Sequence, residues 1–163
     1  RLTTLQRVGQ RGLPFFMLRI DRAGQVSKRY AGASASPLVH GGQRCPLWNL
    51  QAAFATPATL LTDEVELEDG STWLTFARTV DGPARDLAGR QARFAVALGV
   101  EARLADLVRA RLDRTHPPQP IGTGCGTCLR TACVQRAFPP AGAAISVSER
   151  ERAMLPFGIA GTN

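Results

Sequence analysis

The cysteines are the residues of this chain best suited to chemistry, because three of the four lie in one short glycine-rich segment. Cys125, Cys128 and Cys133 follow the spacing C-x2-C-x4-C. A C-x2-C pair can place two sulfur atoms at adjacent positions of one metal centre, and the longer spacer carries the third sulfur around it. The remaining cysteine, Cys45, lies in the first third of the chain and is followed by Pro46.

The thiol count favours a single metal site that joins the first and last thirds of the chain. Structural thiolate sites need four soft ligands, and the four cysteines supply them with none left over. A remote Cys-Pro pair with a C-x2-C-x4-C cluster fits an iron-sulfur cluster at least as well as zinc, whose ribbons usually carry two C-x2-C pairs. Two disulfides or free thiols remain the alternative, and His40 or His116 would be a ligand only if a cysteine were not.

The composition predicts one globular domain with an anionic partner. The chain has 163 residues, of which 44% are hydrophobic and 20% charged, and its formal net charge is +7. Lys28 is the only lysine among the 20 basic residues, and arginine holds phosphates with two parallel hydrogen bonds. The basic residues are spread along the whole chain, which favours a compact phosphorylated ligand over a DNA duplex. No apolar run of the sequence reaches the length of a membrane span, so we expect a soluble cytoplasmic protein that has no membrane partner.

The elements that must position the cysteines are predicted to be mostly strands. Residues 13–20 and 26–30 form a hairpin around the turn 21–24, and residues 62–68 and 72–80 form a second hairpin. Residues 92–98 are a further short strand. We expect a loop over 31–44 and two helices, a short one at 47–54 and an amphipathic one at 100–112.

The termini and the approach to the cysteine segment are predicted to be irregular. Residues 1–12 are a linker or the end of an upstream helix, residues 149–154 a last short helix, and residues 158–163 an irregular tail. Pro117, Pro118 and Pro120 lack N–H groups and argue against a strand. The predicted fold over 1–163 is a single α+β domain, which we expect to be a fragment of a longer protein. Its largely antiparallel sheet consists of two hairpins plus a strand, packed by an amphipathic helix and closed by a cysteine-rich metal loop.

Several motifs resemble a family of bacterial regulators. They are Cys45-Pro46-Leu47-Trp48-Asn49, then Ala53-Phe54-Ala55-Thr56-Pro57, and the longest one, from Ile121 through the three cysteines to Pro140. Together they resemble the C-terminal domain of short-chain fatty acyl-CoA-responsive transcription regulators. The resemblance implies a sensor of acyl-CoA such as propionyl-CoA, with promoter DNA bound by a helix-turn-helix upstream in the full protein. It also implies a four-iron four-sulfur cluster held by Cys45, Cys125, Cys128 and Cys133.

The ligand contacts are predicted from side-chain chemistry alone. Cationic side chains suit the phosphates of an acyl-CoA, and aromatic side chains suit its adenine, pantetheine or acyl chain. The candidates are Lys28, Arg29, Arg44 and Arg78 for the phosphates, and Tyr30, Trp48 and Phe76 for the apolar parts.

The predicted activity is sensing rather than catalysis. The sequence has no Gly-x-Ser-x-Gly motif and no paired acid and base residues, so we expect no enzymatic activity. The full regulator is a possible homo-oligomer. The alternative function is a structural zinc domain that contacts nucleic acid directly through its arginine-rich surface.

Overall fold

The fold is given by a computed structural model that describes residues 12–31, 34, 36–40, 44–110, 112, 116–147, 150 and 157–159. In these ranges a mixed, mostly antiparallel sheet has the strand order β2-β1-β5-β4-β3-β6, and a small second sheet pairs β7 with β8. The strands are β1 Phe15–Ile20, β2 Val26–Tyr30, β3 Leu61–Glu66, β4 Thr72–Arg85, β5 Gln91–Glu101, β6 Gln119–Pro120, β7 Ile145–Ser146 and β8 Gly158–Ile159.

Both predicted hairpins and the further strand are confirmed. β1 pairs with β2, β3 pairs with β4, and β5 lies between the two hairpins as the antiparallel neighbour of β1 and β4. Gly24 closes the first turn with φ of 78°, and the Oδ1 atom of Asp21 accepts hydrogen bonds from the N–H groups of Ala23 and Gln25 at 2.9 Å. A left-handed residue at such a turn favours glycine.

The predicted long helix at 100–112 is wrong. Val100 and Glu101 continue β5 and pair with Leu74 and Trp73 of β4, because Val100 is buried against Leu74 on the sheet. A 3-10 helix at Ala102–Leu104 and a short helix α2 at Asp106–Arg109 follow, and Leu104 is 38% exposed. The spacing at 100, 104 and 108 therefore combines a strand end with one helical turn.

Short helices pack on one face of the sheet, which we call the inner face, and the core lies between that face and the helices. Helix α1, Asn49–Ala52, lies within the predicted helix at 47–54, and an unpredicted 3-10 helix occupies Pro37–Val39 in the expected loop. Trp48 packs on Phe16 with ring centroids 6.2 Å apart. Gly99 leaves room for the Phe16 ring, because a Cβ at position 99 would lie 2.3 Å from it.

Two segments predicted to be irregular contain short strands. Gln119–Pro120 pairs in parallel with Val65 and Glu66, so the expectation against a strand there was wrong. A two-residue strand at the sheet edge tolerates a proline, because the missing N–H can face away from its neighbour. Gly158–Ile159 pairs with Ile145–Ser146, so part of the expected irregular tail is a strand. The predicted last helix at 149–154 and the first 11 residues lie outside the described residues, apart from residue 150. No helix in the described part of the chain is long and apolar enough to cross a membrane.

Candidate functional site

Cys45 is fixed at the edge of the core by the turn that leads into α1. The N–H of Trp48 donates to the carbonyl of Cys45 at 3.1 Å, and the Trp48 ring, 1% exposed, anchors that turn in the core. Cys45 itself is 7% exposed. The sequence motif Cys-Pro-Leu-Trp thus holds one thiol in a defined position.

The segment from Ile121 to Cys133 is attached to β3. The N–H of Ile121 donates to the Glu66 carbonyl at 2.9 Å, and the N–H of Cys128 donates to the Gly124 carbonyl at 3.0 Å. A Cβ at position 122 would lie 2.7 Å from the Cys128 sulfur, so Gly122 is needed for the close approach of this thiol. We define residues 121–138 as the cysteine loop.

Two arginines of the cysteine loop bind backbone carbonyl groups. Arg130 donates to the carbonyls of Ile121 at 3.2 Å and Glu66 at 3.0 Å, which joins the loop to the sheet. Arg136 is 5% exposed and donates to four carbonyls inside the loop. They belong to Cys125 at 3.4 Å, Cys128 at 3.1 Å, Phe138 at 3.2 Å and Arg130.

The thiol of Cys45 faces the cysteine loop. Burial raises the pKa of Cys45, backbone N–H groups of Gly122 and Leu47 lower it, and the charges of Cys125 and Cys133 raise it. Cys125 lines a cleft of about 240 Å³ with Arg44 and Pro46 of the Cys45 turn. Cys133 lines another cleft, of about 510 Å³, with Leu47 of the same turn. The fold therefore brings the two distant cysteine segments together, as a shared site would require, and the shared metal site itself stays a prediction.

The four thiols are free, and they do not converge on one point. All four cysteines lack a disulfide, with Cys45 and Cys128 buried and the other two half-buried. Among the described residues, no three His, Cys, Asp or Glu side chains are grouped closely enough to hold a metal ion. Closure of the fold by a metal loop thus remains a prediction.

In number and chemistry, the four thiols suit a thiolate-bound metal group. Four thiols come from two touching segments, which is the number of soft ligands that zinc or an iron-sulfur cluster needs. The Nε atom of Arg136 is buried and has no hydrogen-bond partner in the described part of the chain. A buried cation that binds the carbonyls of Cys125 and Cys128 suits a centre that carries negative charge.

Four of the predicted ligand contacts lie together on the outer face of the sheet. The strand register aligns Tyr30, Met17, Leu98 and Phe76 in one row across β2, β1, β5 and β4. The next row along the strands contains Lys28, Arg19, Val96 and Arg78. Leu98 is 41% exposed, and Lys28 and Arg78 are exposed. We call these two rows the outer sheet face, an apolar band beside a cationic one.

The other three predicted contacts lie elsewhere. Arg29 is opposite Leu18, whose side chain belongs to the inner face, so Arg29 and Lys28 point to opposite sides of β2. Arg44 is 8% exposed and donates to the His40 carbonyl at 3.0 Å; burial and then the charge of Arg29 lower its pKa. Trp48 is a core residue and offers no accessible ring for stacking.

Sequence reasoning missed Gly122 and Arg136. Both lie inside the motif that carried the resemblance, but their roles depend on the path of the loop. Gly122 matters because Cys128 packs on it, and Arg136 because four carbonyls turn toward it. The available signal was a pair of arginines, Arg130 and Arg136, inside a segment otherwise poor in charge.

A cleft of about 200 Å³ lies at the other end of β3. It is lined by Asp63, Glu64, Arg109 and His116 together with apolar side chains, and Arg109 pairs with Glu64 at 2.9 Å. The Oδ1 atom of Asp63 is buried and has no hydrogen-bond partner in the described ranges. Burial raises the pKa of Asp63, and the nearby His116 lowers it in part.

Replacing Asp63 with Asn is expected to raise the free energy of unfolding at neutral pH. Because the folded-state pKa of Asp63 lies above the unfolded value, its ionised form destabilises the fold at neutral pH. This cost disappears as the pH falls through the folded-state pKa to the ordinary value near 3.8. Urea unfolding of both proteins at neutral pH and near pH 4 would measure the difference.

Asp69→Asn is the matched control for this prediction. Hydrogen bonds from Ser71 lower the pKa of Asp69, so that variant is expected to lose stability at neutral pH. A neutral-pH loss of stability in Asp63→Asn as well would contradict the account of this cleft.

The family described as "Short-chain fatty acyl coenzyme A regulator, C-terminal" matches residues 4–157, which include all four cysteines. The chain belongs to this family. A solved structure, "Mycobacterium tuberculosis transcriptional regulator", has a TM-score of 0.81 and 38% identity over 96% of this chain and 48% of that one. The resemblance found in the motifs is thereby confirmed.

Two curated relatives have similar identity to this short-chain acyl-CoA regulator domain. The propionyl-CoA carboxylase regulator of Cereibacter sphaeroides is 40% identical over 161 residues, which cover 98% of this chain and 35% of that protein. The HTH-type transcriptional regulator RamB of Mycobacterium tuberculosis is 40% identical over 163 residues, which cover 96% of this chain and 34% of that protein. The chain thus spans about a third of the length of these relatives.

Proposed function

We propose that this chain is the effector-sensing domain of a transcription regulator, that it binds a short-chain acyl-CoA, and that it carries an iron-sulfur cluster. The observation that carries the proposal is the family match over residues 4–157. One relative is named as a propionyl-CoA carboxylase regulator and another as an HTH-type transcriptional regulator, and these names support a sensory role without catalysis.

Cys45, Cys125, Cys128 and Cys133 would hold the cluster. When bound, a four-iron four-sulfur cluster supplies one-electron redox chemistry and a cross-link between distant parts of the chain. The chain's own contribution is to bring the Cys45 turn against the cysteine loop and to exclude water from Cys45 and Cys128, which are each 7% exposed. Zinc at the same four thiols is the alternative metal.

The acyl-CoA would lie on the outer sheet face. Lys28 and Arg78 stand in the cationic row and suit the phosphates of CoA. Tyr30 and Phe76, with Leu98 between them, offer an apolar band to the pantetheine and acyl groups. Support for this location comes from the register that aligns these side chains across neighbouring strands.

Sensing requires that the acyl-CoA bind two conformations of the domain with different affinities. That difference would shift the population of the regulator and alter promoter binding by an upstream helix-turn-helix in the full protein. A homo-oligomeric regulator would transmit the shift between its subunits.

The double substitution Lys28→Ala with Arg78→Ala is expected to weaken binding of propionyl-CoA by at least about tenfold, which corresponds to about 1.4 kcal/mol. Each substitution removes a cation that would pair with a phosphate. Isothermal titration with propionyl-CoA, and with CoA as the comparison ligand, would measure the change.

The matched control is Arg29→Ala. Arg29 is the exposed neighbour of Lys28 and projects to the opposite side of β2, so its loss should leave the affinity within about twofold. Equal losses in the control and the double variant would contradict the outer sheet face as the ligand site. Binding of a nucleic acid without binding of acyl-CoA would instead favour a zinc domain that contacts nucleic acid.

A further inference from the structure

Among the described residues, only Arg136 donates hydrogen bonds to four carbonyls of the cysteine loop. Two of those carbonyls belong to Cys125 and Cys128 themselves. The other two, of Arg130 and Phe138, lie on either side of Cys133 in sequence. One guanidinium therefore connects backbone segments at or near Cys125, Cys128 and Cys133.

The loop has few other means of keeping its shape. Between Ile121 and Ala144 the backbone forms turns and bends but no strand or helix. A planar guanidinium has five N–H donors in a fixed arrangement, so it can fix several carbonyls at once, which the single ammonium of lysine does less rigidly. The path of the loop backbone thus depends on a side chain rather than on secondary structure.

The buried charge of Arg136 also needs compensation. Its four acceptors are neutral carbonyls, and its Nε has no hydrogen-bond partner in the described part of the chain. A buried cation without an anion is costly. Metal-bound thiolates are anionic, and three of the four cysteines belong to the loop that surrounds this cation.

We infer that Arg136 is a positioning residue that holds the backbone of the cysteine loop in its turned path before any metal binds, so that less of the loop must become ordered when its thiols bind a metal. This inference rests on the proposed metal site, but its structural part concerns the metal-free protein. Arg136 connects the backbone carbonyls of Cys125 and Cys128, and Arg130 attaches the same loop to β3. Removing the Arg136 guanidinium should loosen the loop locally and weaken metal binding.

The test compares wild type, Arg136→Lys and Arg136→Gln as metal-free protein. Amide hydrogen exchange of residues 124–138 is expected to be at least about tenfold faster in Arg136→Gln, with an intermediate rate in Arg136→Lys. The strands β1, β4 and β5 should keep their protection. Titration with Co²⁺, followed by its thiolate absorption bands, should show affinity about 10- to 100-fold weaker in Arg136→Gln.

Arg103→Gln is the matched control, because Arg103 is exposed and pairs with Glu101 away from the cysteine loop. It should leave both measurements unchanged. If the loop amides of Arg136→Gln exchange at the wild-type rate, the inference is overturned. It is also overturned if the strands lose protection as well, because Arg136 would then stabilise the whole domain. If wild type itself takes up no metal, the proposed cofactor is wrong, and the exchange comparison alone decides the role of Arg136.

Discussion

Replacing Cys128 with Ala is expected to abolish stoichiometric metal binding while leaving the metal-free fold largely intact. If the four cysteines hold a metal as proposed, loss of one ligand leaves an open position. The metal affinity should then fall by more than the roughly 10- to 100-fold change expected when a residue that only supports the ligands is replaced. In the metal-free protein the change removes one small buried group, which costs about 1 kcal/mol. Iron, sulfide and zinc analysis, with thermal unfolding of both forms, would measure these effects.

The control for Cys128→Ala is Thr127→Ala at the neighbouring exposed position. Thr127 donates a hydrogen bond to the Gly124 carbonyl at 3.2 Å but is not a thiol. Its replacement should preserve the metal content. Wild-type metal content and melting temperature in Cys128→Ala would exclude this thiol from the site and contradict the four-cysteine proposal.

Replacing Trp48 with Ala is expected to destabilise the domain by about 3–5 kcal/mol, the usual cost of removing a large core aromatic. Trp48 is 1% exposed, contacts Phe16 and closes the turn that carries Cys45. The variant should therefore also reduce metal occupancy through the Cys45 turn. Urea unfolding monitored by circular dichroism would give the stability.

Leu129→Ala is the control for the core prediction, because Leu129 is 73% exposed although it lies in the cysteine loop. Its change in stability should stay within about 0.5 kcal/mol. A similarly small change for Trp48→Ala would show that the Cys45 turn is not anchored by the core.

The sheet was predictable from the sequence because its signals are local. Turns with Gly24 and Gly70 at positive φ separate strands whose buried residues alternate, as in Phe16, Leu18 and Ile20. The helix predicted at 100–112 failed because strand pairing with β4 outweighed a weak helical spacing at Val100. Tertiary pairing of this kind is not visible in a single short window of sequence.

The proximity of the two cysteine segments was predictable from the sequence, but the path of the cysteine loop was not. Four cysteines in two segments implied that the segments meet, and the Cys45 turn does contact the loop that carries Cys125 and Cys133. The dependence of that loop on Arg136 was not predictable, because its carbonyl acceptors converge only once the chain has turned around them. Likewise, the cationic and apolar rows of the outer sheet face follow from strand register rather than from sequence spacing.

The most direct test of the proposed sensor domain is its visible absorption spectrum after anaerobic purification, with iron, sulfide and zinc analysis on the same sample. We expect a brown protein with broad absorption toward the blue and about four iron and four sulfide per chain. A colourless protein that contains one zinc, or no metal, would contradict the iron-sulfur cluster at Cys45, Cys125, Cys128 and Cys133.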